Sequence, residues 1–389
     1  MKVLYVINPK AEVDQWGRLG DTALTQYLIK GMSDKVDAYL VCGHPIGEDL
    51  SEKYEAKKAE LGLKDIFYGF EYDPHKNLSQ INYWFNYIRV LQMEHHFDVI
   101  HVHQAQVAAS TSIAQFALNN PDTQFIWTLH NPPEGRATFQ YSDSYKKILS
   151  LPNCKIVCVS NSARERLIQS MNITENLNRL DFIYNGIPID RNVLEMPYRN
   201  MYDFIGVGRI DPPKNTEYLL QFMEYMYKNH DMRSAYIGST FSTYTTDSDY
   251  VLRCNEIINR GVKEGWLSYY PEQNHEGVLH LMRYSRYYVN LSRVETFSLT
   301  SCESMYVETP VICFNEAGPG EIVPDKYGIK IKPVFRRSYA KYMKDLEEAI
   351  LNDNYDRYNY DMSVYVQANF STIAMSNNYY KLYKEMLEK

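Results

Sequence analysis

Tyr287-Tyr288-Val289-Asn290-Leu291-Ser292-Arg293-Val294-Glu295-Thr296-Phe297-Ser298-Leu299-Thr300-Ser301-Cys302-Glu303-Ser304-Met305 changes character midway. Residues 287–291 form a short, almost unbroken apolar run, the pattern of a strand buried on both faces. From about Ser298 the residues suit a helix. A strand leading through a loop into a helix is half of a parallel crossover unit, and in such sheets ligands meet the loops beyond the carboxyl ends of the strands. Glu295 falls in that loop. The N–H groups of Thr296, Phe297, Ser298 and Leu299 fall at the helix start, where donors lack intrahelical partners and suit phosphate or sugar oxygens. Glu303, with seven residues between it and Glu295, lies about a turn and a half into the helix. It can accept hydrogen bonds from vicinal hydroxyls such as those of a ribose. Two glutamates alone are better explained by a capped helix with a surface acid, so the reading depends on the rest of the chain.

The same alternation extends in both directions. Strand-like runs occur at 2–7, 36–42, 98–102, 124–129 and 155–159, then at 202–207, 234–237, 267–270 and 311–314. Helical or loop segments separate them. A helix is predicted at 21–32, and another from Asn215, where Leu219, Phe222, Met223 and Met226 form one apolar stripe. Apolar strands alternating with helices predict an α/β protein built on doubly wound parallel sheets. The pattern pauses at Asn185-Gly186-Ile187-Pro188-Ile189-Asp190, which is turn chemistry, and restarts at 202. Two domains are expected, 1–195 and 196–370, followed by a closing helix over 371–389.

Composition narrows the function classes. The 389 residues suit two domains, and 45% hydrophobic with 23% charged residues is ordinary for globular chains. The formal net charge of -7 lacks the basic excess of a general phosphate-backbone binder. The apolar start is too short for a signal-peptide core, and no run reaches the roughly 18 apolar residues of a membrane span. A cytoplasmic protein without stable membrane insertion is expected. The six cysteines, Cys42, Cys154, Cys158, Cys254, Cys302 and Cys313, fall mostly in apolar stretches and read as buried thiols rather than metal ligands or disulfides.

Three further stretches carry chemistry. In Gly206-Val207-Gly208-Arg209-Ile210-Asp211-Pro212-Pro213-Lys214-Asn215, Arg209 ends a strand and Lys214 opens the next helix. A guanidinium fork and an ammonium point charge across a rigid Pro-Pro suit a diphosphate and the charge of a leaving phosphate, although solvated surface cations explain the spacing about as well. In the first half, 98–103 ends in His103 and Thr128-Leu129-His130-Asn131 brings His130 to a second strand end. One such histidine is usually structural, whereas two at neighbouring strand ends point to a binding edge. His101, one alternation step inside, is the weaker candidate. Gly17-Arg18-Leu19-Gly20-Asp21 is a glycine-containing loop before a helix, but it is not the dinucleotide fingerprint, which disfavours a nicotinamide or flavin enzyme. No Walker loop, zinc motif or nucleophile elbow is found.

In this order the pieces resemble the retaining glycosyltransferases of the GT-B fold, especially glycosyltransferase family 4. The family's glutamate–seven–glutamate motif is matched by Glu295 and Glu303, and its Gly-Arg…Lys element by Gly208-Arg209 and Lys214. Its strand-end histidines are matched by His103 and His130. Val159-Ser160-Asn161-Ser162, Tyr184-Asn185-Gly186-Ile187 and Gly318-Pro319-Gly320-Glu321-Ile322-Val323 look like further family segments. Where the family has Gly-Phe-Gly, Lys-Gly and Glu-Ala-Met, this chain has Thr296-Phe297-Ser298, Lys214-Asn215 and Glu303-Ser304-Met305.

The resemblance implies two facing Rossmann-like domains with a cleft between them and a last helix that crosses back to the first domain. It implies catalytic roles for Arg209, Lys214, Glu295 and His130, with Gly20, Thr296, Phe297, Ser298, Leu299 and Glu303 binding the donor. His103 and Arg136 would lie on the acceptor side. The donor would be a UDP- or GDP-linked sugar serving as co-substrate, with no metal and no other cofactor. Configuration at the anomeric carbon would be retained. The acceptor would be a saccharide or glycan. A modified base in DNA is a second acceptor class, with Arg136, Lys146 and Lys147 as local contacts. A catalytically silent GT-B scaffold or glycan-binding partner is a third reading. The setting would be the cytoplasm, a peripheral position on the inner membrane face, or a host cytoplasm if the chain is phage-encoded.

Overall fold

The computed structural model describes residues 1–7, 20–72, 81–103, 114–131, 136–195, 197, 200–239, 248–333, 339–355, 358 and 361–388. The chain divides into two compact units. One comprises Met1–Pro188 with Asn369–Lys389, and the other Ile189–Ala368. Each is a parallel sheet of Rossmann type with helices on both faces.

The first unit has seven strands: β1 (Lys2–Val6), β2 (Asp37–Pro45), β3 (Asp65–Tyr72), β4 (Val99–His103), β5 (Gln124–Leu129), β6 (Cys154–Cys158) and β7 (Leu180–Phe182). Their order across the sheet is β3-β2-β1-β4-β5-β6-β7, and every pairing is parallel. Alternation along β1 explains why its sequence is apolar from Val3 to Val6. Leu4 and Val6 enter one core with Ile100, Val102, Phe125, Trp127 and the helix residues Trp84, Phe85 and Ile88. Val3 and Tyr5 enter the core on the opposite face, with Leu28, Ile29 and Met32. A strand covered on both faces has no side left for polar residues.

The helix Thr372–Leu387 belongs to this unit. Met375, Tyr379, Leu382, Tyr383 and Met386 form one helical stripe, and all five are buried in the second of those cores. The returning chain is stitched in by backbone. Ile187 N donates to Phe370 O at 2.8 Å, and Thr372 N donates to Ile187 O at 3.0 Å. Gly186 permits this approach, because a Cβ there would stand 2.5 Å from Ser371 O.

The second unit has six strands: β8 (Tyr202–Val207), β9 (Ser234–Ile237), β10 (Leu267–Tyr270), β11 (Ser285–Asn290), β12 (Val311–Phe314) and β13 (Gly328–Ile331). Their order is β10-β9-β8-β11-β12-β13, again all parallel. The stripe Leu219, Phe222, Met223 and Met226 packs on this sheet together with Trp266 and Tyr287. The helix carrying it runs Thr216–His230, one residue after the predicted start.

Strands β3, β7 and β13 escaped the sequence reading. All three are sheet edges, and edge strands carry polar residues such as Glu71, Asp181 and Lys330 that break an apolar run. The six cysteines are buried free thiols, and burial pushes Cys42, Cys154, Cys158, Cys254 and Cys313 up to about 12. Among the described residues no helix is long and apolar enough to cross a membrane.

Gly186→Val should destabilise the protein by about 2 kcal/mol, because the new side chain must displace backbone rather than a flexible side chain. Urea unfolding of the variant checks this.

Candidate functional site

In the second unit, strand order reverses between β8 and β11, which lie side by side. The chain leaves β8 to one side and β11 to the other, so their carboxyl-end loops part around an opening. The two loops bring together the residues singled out from sequence.

The β8 loop is built around Asp211. Its carboxylate is buried and accepts from three donors: Arg209 Nε at 3.2 Å, Arg209 Nη2 at 3.0 Å and the backbone N of Lys214 at 3.1 Å. One acid thereby aims the guanidinium and caps the short 3-10 turn Pro212–Lys214. Lys214 ends this turn instead of opening the long helix. Asn215 then adopts φ 55°, and the helix begins at Thr216. The left-handed position explains why glycine is common there in the resembling family, and asparagine is one of the few residues that tolerate it. Here asparagine adds two bonds across the opening. Its Nδ2 donates to Leu291 O, and its Oδ1 accepts from Arg293 Nε, both at 3.1 Å. Arg293 N also donates to Pro213 O at 2.9 Å.

The β11 loop answers from the other side. Glu295 Oε2 lies 2.6 Å from Lys214 Nζ, so the cation and the first glutamate of the motif are directly paired. Ser298 stands at φ 79°, again where the family has glycine, and serves as N-cap of the helix Leu299–Tyr306. Its Oγ accepts from Ser301 N and meets Asn290 Nδ2 at 2.8 Å and Ser301 Oγ at 2.7 Å. The helix thus starts one residue later than expected, with Thr296 and Phe297 ahead of the cap. The Phe297 side chain is buried, so only its backbone is available to a ligand. Gly318 lies against that backbone, with a hypothetical Cβ 2.5 Å from Phe297 N, and donates to Glu295 O at 3.1 Å.

Glu303 is largely buried and accepts from His275 Nε2 at 3.0 Å. The carboxylate raises the pKa of His275, with burial opposing. Neither Asp211 nor His275 was singled out from sequence. Asp211 had a local signal, an acid followed by Pro-Pro at a turn. His275 had none, since it lies 28 residues before its partner.

In the first unit, His103 Nδ1 and His130 Nε2 are 3.1 Å apart. Both rings are buried. Desolvation brings His130 down to about 4 and pushes His103 well below its ordinary value, so both are neutral at pH 7. Among the described residues, His103 Nε2 and His130 Nδ1 have no hydrogen-bond partner. His101 lies beneath them in the core and is also held neutral by burial. Gly20 opens the helix Gly20–Met32, and the rest of its loop before Asp21 lies outside the described residues. Arg136 opens the helix Arg136–Ser150, but its side chain lies outside them. Among the described residues no group of three or more His, Cys, Asp or Glu is arranged to hold a metal ion.

Comparison with known proteins gives a consistent result. Residues 20–191 match the family described as Glycosyltransferase Family 4, and residues 197–362 match Glycosyl transferases group 1. An uncharacterized glycosyltransferase of Methanocaldococcus jannaschii is 26% identical over 311 residues, covering 72% of this chain and 76% of that protein. Among solved structures, a glycosyltransferase of Rickettsia africae superimposes with a TM-score of 0.71 at 17% identity, covering 100% of this chain and 99% of that one. Anabaena HepE, solved with UDP and also with UDP-glucose, has a TM-score of 0.71 at 14% identity, covering 99% of this chain and 100% of that one.

Asn215→Ala should destabilise the protein more than Asn215→Gly, by about 1 kcal/mol. Both lose the bonds to Leu291 and Arg293, but only alanine is strained at φ 55°. Parallel urea melts of the two variants check the order.

Proposed function

Because the chain is a glycosyltransferase of the GT-B fold, resembling glycosyltransferase family 4, we propose that it moves a sugar from a UDP- or GDP-linked donor to a hydroxyl of a saccharide or glycan, with retained configuration and without a metal. The observation that carries this reading is the pairing of Lys214 with Glu295 across the strand-order reversal, with Arg209 on the first of the two loops and Glu303 in the helix that follows the second.

In the proposed reaction the diphosphate takes Arg209 and Lys214 as its cations, and the ribose hydroxyls donate to Glu303. A diphosphate that draws Lys214 away leaves Glu295 free to accept from a hydroxyl of the donor sugar. The bond from the anomeric carbon to the phosphate oxygen breaks, and the nucleoside diphosphate departs with the electron pair. The acceptor oxygen bonds to the same face of that carbon, and its proton passes to the departing phosphate. The two cations offset the charge that grows on the leaving oxygen, as an electrostatic site should. Backbone N–H groups at the start of the helix Leu299–Tyr306 add a positive helix end. Gly20 serves the diphosphate, His130 meets a sugar hydroxyl, and His103 and Arg136 serve the acceptor. A cytoplasmic setting fits six buried free thiols, which a reducing compartment preserves.

A thermal-shift panel of UDP-, GDP-, ADP- and CMP-sugars and their nucleotides tests the donor site. One nucleotide series should raise Tm, since a ligand at 100 times its Kd adds about 2.7 kcal/mol to a folded state that alone binds it. Glu303→Ala should lose the shift. Arg209→Ala, Lys214→Ala and Glu295→Ala should each keep the fold and lose most transfer. No shift with any member at millimolar concentration, or near-normal turnover in all three variants, would remove the proposed site.

A further inference from the structure

A glutamate that receives ribose hydroxyls has several side-chain torsions, and each one left loose must be frozen when the ligand arrives. In this chain Glu303 is held in advance. His275 Nε2 lies 3.0 Å from Glu303 Oε1. An ionised carboxylate only accepts, so the ring donates its Nε2–H whichever charge it carries. Glu303 Oε2 is left without a hydrogen-bond partner among the described residues.

A third carboxyl-edge loop places His275. β10 ends at Tyr270, and the chain then turns into the helix His275–Arg283. Asn274 caps that helix, its side chain accepting from Gly277 N at 2.8 Å. The cap fixes where the helix starts, and with it the position of its first residue, His275. Gly277 leaves room for the cap, since a Cβ there would stand 2.9 Å from Gln273 Oε1 and 3.0 Å from Asn274 Oδ1.

The bond is not what joins this helix to Leu299–Tyr306. Other ties do so at their far ends. Thr309 Oγ1 donates to Met282 O at 2.8 Å, Arg283 Nη1 donates to Val307 O at 3.1 Å, and Arg283 pairs with Glu308 at 3.3 Å. The His275 side chain keeps 44% of its surface exposed, against 12% for Glu303. A ring that can take a positive charge also gains nothing from the first turn of its own helix, which is the positive end of the helix dipole. What the bond does fix is the Glu303 carboxylate. With Oε1 held, its plane is set and Oε2 remains to accept.

We propose that His275 is a positioning residue for the ribose of the nucleotide donor, holding Glu303 by Oε1 so that the carboxylate meets the vicinal hydroxyls in one fixed orientation. The inference rests on the reading of Glu303 as the group that receives the ribose. It adds the β10 loop to the two loops that carry the donor site. Neither His275 nor Glu303 touches the reacting atoms, so the effect falls on nucleotide binding.

The test is isothermal titration calorimetry of the full-length protein with UDP and GDP and with their dideoxyribose forms, which lack both ribose hydroxyls. The ratio of the two Kd values reads the ribose contact alone. His275→Gln keeps a donor close to the place of Nε2. His275→Met has nearly the same shape and no donor, and His275→Ala is a second variant without one. Thermal unfolding first establishes that all three are folded. The parent should prefer the ribose form roughly tenfold or more, and His275→Gln should keep that preference. In His275→Met and His275→Ala it should fall to about twofold or less, through weaker binding of the ribose form with the Kd of the dideoxy form unchanged. Equal weakening of both forms, the result of a merely structural tie, overturns the proposal. So does a preference that survives in His275→Met and His275→Ala, or one that His275→Gln fails to keep. A parent that binds neither nucleotide, or binds one without preferring its ribose form, removes the reading of Glu303 and the proposal with it. That failure is seen in the parent, before any variant is compared.

Discussion

In an all-parallel sheet every strand runs the same way, so every crossover helix must begin at the same edge. That constraint organises each unit of this protein. It brings helix starts, with their unpaired N–H groups, to the carboxyl edge. Where strand order reverses, at β1 and β4 in one sheet and β8 and β11 in the other, adjacent loops diverge and leave room. In the second unit the gap is spanned rather than empty. Lys214 with Glu295, Asn215 with Leu291 and Arg293, and Arg293 N with Pro213 O all cross it. The backbone and amide bonds set the spacing of the loops. The ion pair has the chemistry to be exchanged for a phosphate.

The loops hold this shape at a conformational cost. Asn215, Ser298 and Ala317 all have positive φ without being glycine. Such residues cost on the order of 1 kcal/mol or more each and persist where the surroundings over-determine them. At Asn215 and Ser298 the compensation is visible in side-chain hydrogen bonds that glycine could not make. At these positions the chain thus replaces the conformational freedom of a glycine with specific ties. Gly318 remains glycine because backbone, not side chain, lies against it.

The central strands and their order of appearance were legible because burial on both faces leaves an unbroken apolar run. Three of the four edge strands were not, because β3, β7 and β13 carry Glu71, Asp181 and Lys330, whereas the edge strand β10 keeps an uncharged run and was found. Arg209, Lys214, Glu295 and Glu303 could be singled out because each lies at a strand-to-helix junction or one turn into a helix. Their partners were hidden for different reasons. Lys214 meets Glu295 across 81 residues only because β8 and β11 are neighbours. His275 reaches Glu303 from a helix that the motif does not include. His101 looked like the lesser histidine from its place inside the strand. Its partner Tyr383 lies 282 residues away, beyond any local pattern.

The central claim is that the β8 and β11 loops together hold a nucleotide diphosphate. A crystal structure with the bound UDP- or GDP-sugar tests it most directly. The account predicts a diphosphate within hydrogen-bond reach of Arg209 and Lys214, ribose hydroxyls on Glu303, and Lys214 released from Glu295. A nucleotide bound elsewhere, or a diphosphate outside these loops with Lys214 still closed on Glu295, would contradict it.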